Sequence, residues 1–194
     1  MADEILDGGF AEAPVEAAAA FRAALEAMAR PGHIARVAGA RPPQPLSVAA
    51  GTLLLTLADP TTPIYLAGAA NTEALRGWLT FHTGAPFGHP GEAAFALGTW
   101  ADLAPLEAYA LGTPEFPDRS ASLIVEMPDL AAEGARLTGP GIETEARLSL
   151  PAITPFQRNA AHFPLGLDFY FTAADRLACL PRTTRVEAGG CMSR

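Results

Sequence analysis

Segments with the apolar spacing of helices alternate with short apolar segments typical of strands through most of the chain. Phe21, Leu25 and Met28 follow the i, i+4, i+7 spacing of one helix face. A helix is therefore predicted from Pro14 to Arg30, and Pro31-Gly32 ends it. Such alternation favours an α/β fold in which helices cover both faces of a mixed sheet.

Caps and apolar runs place the remaining elements. Ser47 is expected to cap a second helix running to Asp59, and Asn71 or Thr72 a third. The third helix should bury Leu75, Trp78 and Leu79. Further helices are predicted at Asp102–Ala110 and Pro155–Ala161. Strands are predicted at His33–Val37, Ile64–Ala67, Phe95–Trp100, Ser122–Met127, Arg136–Thr138, and in a closing hairpin of Asp168–Thr172 and Arg176–Leu180.

The length and composition fit one folded domain. The chain has 194 residues, of which 49% are hydrophobic and 18% charged, so a single core is expected over residues 1–194. Residues 1–13 are predicted to form a loose acidic arm. No linker or repeat divides the chain.

All 13 basic residues are arginine, because the chain contains no lysine. This excludes a Walker-A phosphate loop, whose lysine reaches the nucleotide phosphates. It equally excludes an internal Schiff base with pyridoxal phosphate. No cofactor is predicted.

Charge, cysteine content and hydropathy limit the compartment and the partners. The 21 acidic residues give a formal net charge of −8, which argues against binding to nucleic acid or to an anionic membrane surface. Cys179 and Cys191 could form one disulfide at most, so a reducing cytoplasm is expected. The acidic start does not resemble a secretory signal, and no apolar run approaches the ~20 residues of a membrane span.

Familiar catalytic motifs are absent from the sequence. Gly139-Pro140-Gly141 fails the dinucleotide fingerprint, because Thr144 takes the place of the third glycine and Pro140 lacks an N–H donor. No Gly-x-Ser-x-Gly elbow is present. The 4 histidines show neither His-x-His nor His-x-x-x-His spacing. No catalytic residue and no metal ligand is therefore predicted.

Three places could contact an anion, and each has a plainer structural alternative. His82 and Thr83 end the third helix, where a histidine is also favoured by the helix dipole. Arg182, Thr183 and Thr184 follow a strand and could hold a phosphate or carboxylate, or could form a solvated strand end. Arg22 flanks the apolar face of the first helix and could instead pair with Glu26.

Segments spread over most of the chain resemble the PhnH family of the bacterial carbon–phosphorus lyase system. They occur in family order and at compatible spacing. They are Phe21–Met28 with Arg30-Pro31-Gly32; Leu53–Asp59 with Thr62-Pro63; Phe81-His82-Thr83 with Ala85-Pro86; Leu137-Thr138-Gly139 with Gly141-Ile142; Phe163–Gly166 with Asp168; and Leu180–Thr184 with Val186-Glu187.

The resemblance implies a fold, a process and partners. The fold would be a three-layer αβα sandwich similar to that of pyridoxal-phosphate-dependent transferases, here without the cofactor. The process would be the catabolism of organic phosphonates, in which a phosphonate displaces adenine from ATP to give a ribose 1-phosphonate 5-triphosphate. The partners would be PhnG, PhnI and PhnJ, with PhnL acting alongside them, and the isolated subunit would form a homodimer. PhnJ, and not this subunit, would cleave the carbon–phosphorus bond.

Two functions fit these expectations. In the first, the chain is an assembly subunit with no catalysis of its own. In the second, it binds a nucleotide or a phosphonate directly through His82 and Arg182–Thr184. The second function requires these segments to meet in one concave site.

Overall fold

The computed structural model describes residues 6–189. Four helices organise this region. They are α1 (Ala13–Ala29), α2 (Val48–Leu57), α3 (Glu73–Thr83) and α4 (Thr154–Ala161). Each agrees with a predicted helix to within about two residues at its ends, which is the usual uncertainty of such boundaries.

Six strands form one mixed sheet in the order β1-β8-β7-β4-β3-β2. They are β1 (Ala35–Arg36), β2 (Ile64–Leu66), β3 (Phe95–Thr99), β4 (Ser122–Glu126), β7 (Asp168–Ala173) and β8 (Arg176–Leu180). The strands β2, β3, β4 and β7 are parallel. Strand β8 is antiparallel to β7, which confirms the predicted closing hairpin, and β1 is antiparallel to β8.

A second, antiparallel sheet has the order β6-β5-β9. It consists of β5 (Ala135–Thr138), β6 (Ala146–Leu148) and β9 (Arg185–Glu187). Only β5 was predicted from the sequence. Strands β6 and β9 are only three residues long, and each contains at least one charged residue, so their pairing with β5 depends on the tertiary structure rather than on local pattern.

The large sheet is buried on both faces, and each face has its own core. On one face α1, α2 and α3 pack over Leu66, Leu97 and Ile124. On the other, the small sheet, α4 and irregular segments pack over Phe169 and Phe171. The chain is thus a mixed α/β protein, as predicted, with one helix rather than a full helical layer on the second face.

The predicted helix caps are present. The Ser47 hydroxyl accepts a hydrogen bond from the Ala50 N–H at 3.1 Å, and the Thr72 hydroxyl accepts one from the Leu75 N–H at 3.1 Å. Gly84 ends α3 with φ at 67°, a left-handed conformation that glycine adopts without strain. Leu75, Trp78 and Leu79 are fully buried, as predicted.

The predicted buried face of α1 is wrong. Phe21 and Leu25 are 51% and 58% exposed, whereas Ala20, Ala24 and Ala27 face the core. Alanines on this face let the helix lie close against α2 and β8, which larger side chains would prevent. Of the three residues with the predicted spacing, only Met28 packs against the core, where it is partly buried.

The helix predicted at Asp102–Ala110 is also wrong, because only Leu106–Ala108 forms a single 3-10 turn. Pro105 disfavours helical geometry at the preceding residue and supplies no N–H for a helical hydrogen bond. This segment instead becomes an irregular covering of the second core.

The N-terminal segment, predicted to be loose, is held against the body of the protein over residues 7–10. The Asp7 carbonyl accepts a hydrogen bond from the Trp78 indole at 2.9 Å, and the Gly8 carbonyl accepts one from the Arg41 N–H at 2.7 Å. Residues 1–5 of the predicted arm lie outside the described residues, as does Cys191. Within residues 6–189, no helix is long and apolar enough to cross a membrane.

The packing of α1 gives a matched pair of substitutions. Ala24→Leu should destabilise the protein by about 1–3 kcal/mol, because it overfills a buried contact. Leu25→Ala, one residue along, should change the free energy of unfolding by no more than about 0.5 kcal/mol. Urea denaturation of both variants measures the difference, and a larger loss for Leu25→Ala would contradict the observed orientation of α1.

Candidate functional site

A cleft of about 410 Å³ lies beside the turn that joins β8 to β9. The end of β5, the end of α4 and the turn itself surround it. Its lining residues are Gly139, Pro140, Ala160, Phe163, Arg182, Thr183 and Arg185. We refer to it as the arginine cleft.

The turn between β8 and β9 is tight and closely packed. The Thr184 N–H donates to the Pro181 carbonyl at 2.9 Å. Gly139 has φ at 133°, and a Cβ at this position would lie 3.1 Å from the Thr183 carbonyl oxygen. The glycine is therefore needed for the close approach of β5 to the turn, and the predicted turn at Gly139-Pro140-Gly141 has a packing role.

Arg182 is engaged within the protein. Its guanidinium donates to both carboxylate oxygens of Asp168, at 3.2 and 2.5 Å, and to the Pro117 carbonyl at 2.8 Å. It also donates to the Ser120 hydroxyl, and the Arg182 backbone N–H donates to Asp168 at 2.8 Å. The Arg182 and Asp168 side chains are only 13% and 23% exposed. The Arg182 guanidinium, which was predicted to hold an anion, thus joins the end of β8 to the start of β7 and to the segment before β4.

Arg185 and Thr183 are the groups of the cleft that remain available to a ligand. Arg185 is exposed, and in the described part of the chain it forms no ion pair. Thr183 is half-buried at the wall of the cleft. Phe163 is 61% exposed and adds an aromatic surface beside them. The arginine-rich turn therefore presents one cation, one hydroxyl and one ring, with Arg185 rather than Arg182 as the free charge.

Thr184 does not line the cleft. It is 2% exposed, and its hydroxyl has no hydrogen-bond partner among the described residues. A buried polar group without a partner lowers the stability of the fold. Nothing in the structure explains this hydroxyl.

His82 and Thr83 lie away from the arginine cleft, at the end of α3. The His82 ring lies 5.0 Å from the Trp78 ring and 4.9 Å from the Phe81 ring. Its Nε2 is 3.4 Å from the Asp7 carbonyl oxygen, so the N-terminal segment covers it. The Thr83 hydroxyl donates to the Leu79 carbonyl at 2.7 Å and accepts from the Ala85 N–H at 3.1 Å. Both residues thus take part in ending the helix.

Arg22 lies on the exposed side of α1 and joins neither group. The predicted pair with Glu26 does not form, because Glu26 pairs with Arg30 at 3.2 Å. Of the residues predicted to contact an anion, only Arg182 and Thr183 share a cleft. His82, Thr83 and Arg22 do not line the arginine cleft.

The half-buried Glu126 carboxyl and the fully buried Cys179 thiol are accounted for by their surroundings within the protein. Glu126, at the end of β4, accepts hydrogen bonds from the Ser47 N–H at 2.8 Å and from the Thr172 hydroxyl at 3.2 Å. Burial raises the pKa of the Glu126 carboxyl above its usual value. Burial also raises the pKa of the Cys179 thiol well above its usual value, so this cysteine is an unreactive core residue. Among residues 6–189, no group of three or more His, Cys, Asp or Glu side chains could hold a metal ion.

The family model for PhnH, described as a bacterial phosphonate metabolism protein, matches residues 8–187. The chain belongs to the PhnH family. The match takes in all four helices and both sheets.

Two named relatives align along nearly their full length. The chain is 39% identical to the alpha-D-ribose 1-methylphosphonate 5-triphosphate synthase subunit PhnH of Rhizobium meliloti, over 95% of this chain and 96% of the relative. It is 32% identical to the putative C-P lyase subunit protein HtxG of Stutzerimonas stutzeri, over 94% of this chain and 96% of that relative.

The contacts of Arg182 predict a structural role. Arg182→Ala should destabilise the protein by about 2–3 kcal/mol, because it leaves the half-buried Asp168 without its charged partner. The matched variant Arg185→Ala should change stability by no more than about 0.5 kcal/mol, because Arg185 is exposed. Thermal and urea denaturation of the two variants test this, and equal stabilities would show that the Arg182 contacts contribute nothing.

The environment of Glu126 predicts a pH dependence. Since folding raises the pKa of Glu126, this residue's contribution to stability is fully present below its unfolded pKa and is lost as the pH rises through the folded value. The Glu126→Gln variant should therefore gain stability relative to the unmodified protein between about pH 4 and pH 7. Urea denaturation across that range measures the gain, and a stability difference that does not change with pH would contradict it.

Proposed function

We propose that this chain is a subunit of a carbon–phosphorus lyase complex and supports the formation of ribose 1-methylphosphonate 5-triphosphate from a nucleotide and a phosphonate. The observation that carries the proposal is the 39% identity over 95% of the chain with a protein named as a subunit of that synthase. The second relative, named as a putative C-P lyase subunit, supports the same process.

The proposal includes the partners, the oligomeric state, the architecture and the compartment that we expect for the family. The partners are PhnG, PhnI and PhnJ, with PhnL acting alongside them, and the isolated subunit is a homodimer. Its architecture is related to that of pyridoxal-phosphate-dependent transferases, which is supported by the mixed sheet with three helices on one face and α4 on the other. Its compartment is the cytoplasm, which is supported by the buried free thiol of Cys179.

Assembly, rather than independent catalysis, is the role that the geometry favours. The guanidinium of Arg182 is hydrogen-bonded to Asp168, Ser120 and Pro117. The ring of His82 packs between Trp78 and Phe81. In the described residues, the arginine cleft therefore lacks a paired nucleophile and base of the kind that group-transfer catalysis needs.

The exposed face of α1 is the surface we assign to assembly. Phe21 and Leu25 lie four residues apart on one side of the helix, and both are more than half exposed. Exposed large apolar side chains that form one stripe are typical of protein contacts. We therefore propose that this stripe packs against another subunit or against a second copy of this chain.

Co-purification tests the assembly role. The double variant Phe21→Glu with Leu25→Glu should retain its melting temperature, because both side chains are exposed, but should lose at least about tenfold in recovery with the other subunits or in self-association. Val15→Glu is the matched control, because Val15 is 64% exposed on a different side of the same helix. Normal recovery of the double variant, or equal loss in the control, would remove α1 from the interface.

A second function is favoured by one observation, the free cation of the arginine cleft. Arg185 and Thr183 could contact the phosphonate or phosphate group of a ligand, with Arg182 holding the wall in place. Arg185→Ala with Thr183→Val should then lower synthase activity of the assembled complex about tenfold without reducing assembly. Unchanged activity would leave assembly as the function of the chain.

A further inference from the structure

A separate cleft of about 280 Å³ lies on the other side of α4 from the arginine cleft. Trp100, Leu106, Leu111 and Leu167 give it apolar walls, and Arg158 and His162 reach it from α4. None of these residues belongs to the segments that resemble the PhnH family or to the predicted anion contacts. They come from two stretches that are distant in sequence, residues 100–111 and 155–167.

The walls of this tryptophan cleft are held in place without a ligand. The Asn159 side chain donates to the Leu167 carbonyl at 2.8 Å and accepts from the Leu167 N–H at 2.7 Å. The Gly166 N–H donates to the Leu111 carbonyl at 3.0 Å, which ties the segment before β7 to the segment before β4. Phe156 lies 5.0 Å from Trp100 and supports it from the core side. A cavity with fixed walls binds a ligand without the loss of freedom that ordering a loop would require.

The rim carries groups of both signs, because the exposed Glu107 lines the cleft together with Arg158 and His162. Arg158 and His162 are four residues apart, so they lie on the same side of α4, and both are exposed. Within residues 6–189, neither forms an ion pair with an acidic side chain. The Arg158 guanidinium is therefore paired neither with Glu107 nor with another acid of residues 6–189, and beside an apolar, aromatic-walled cleft it is complementary to a ring that carries an anionic group.

We propose that the tryptophan cleft binds a small planar aromatic compound bearing a single phosphonate, phosphate or carboxylate group. The ring lies among Trp100, Leu106 and Leu167, and the anionic group meets Arg158 and His162. The volume is at the lower end of the range for ligand pockets, which suits one or two rings rather than an extended peptide. This proposal rests neither on ligand binding in the arginine cleft nor on the assembly role.

Binding can be followed by tryptophan fluorescence, because the two tryptophans lie in different cores. Trp100 lines the cleft, whereas Trp78 is fully buried under the helices of the opposite face. Phenylphosphonate should quench the fluorescence of the full chain, and Trp100→Phe should remove that change. Methylphosphonate, which has no ring, and benzyl alcohol, which has no charge, should each bind at least about tenfold more weakly.

Substitutions at the rim complete the test. Arg158→Gln should weaken phenylphosphonate binding about tenfold by calorimetry. Arg30→Gln, a surface change on α1, is the control and should leave binding unchanged. Equal affinity for methylphosphonate would reduce the site to a cationic surface and overturn the proposal. Absence of phenylphosphonate binding, with Trp100 shielded only when the other subunits are added, would overturn it in favour of a protein interface.

Discussion

Strand β7 is the element on which the rest of the structure depends. It pairs in parallel with β4 and antiparallel with β8, so the sheet changes direction at this strand. Its side chains enter both cores, with Phe169 and Phe171 on one face and Tyr170 on the other. Its first residue, Asp168, binds Arg182 and so determines where the chain goes after β8. The small sheet can then form only because β9 leaves this anchored turn beside β5.

The sequence predicted the elements whose signals are local. Ser47 and Thr72 are caps because a hydroxyl must meet an N–H three residues away, and that requirement is visible in a single segment. The hairpin of β7 and β8 was equally visible, as two apolar runs around a short turn. The mixed α/β class followed from these elements.

The errors arose where packing between distant segments determines which residues are buried and which partners they bind. Phe21 and Leu25 have the spacing of a core face. The face of α1 that lies close against β8 carries alanines instead. Arg182 has the chemistry of an anion ligand, but Asp168 comes to the same place from fourteen residues earlier in the chain. A buried carboxylate needs a partner, so pairing Asp168 at the start of β7 with Arg182 just after β8 would have found the contact. The tryptophan cleft had no local signal, since its walls come from residues 100–111 and 155–167, which meet only in the folded protein.

Helix α4 is only eight residues long, yet it borders both clefts. Arg158 faces the tryptophan cleft and Ala160 faces the arginine cleft, and two residues in a helix are separated by about 200° of rotation. The helix is therefore a partition with one cavity on each side. Any displacement of this partition that enlarges one cavity reduces the other, so the volumes of the two clefts are not independent quantities.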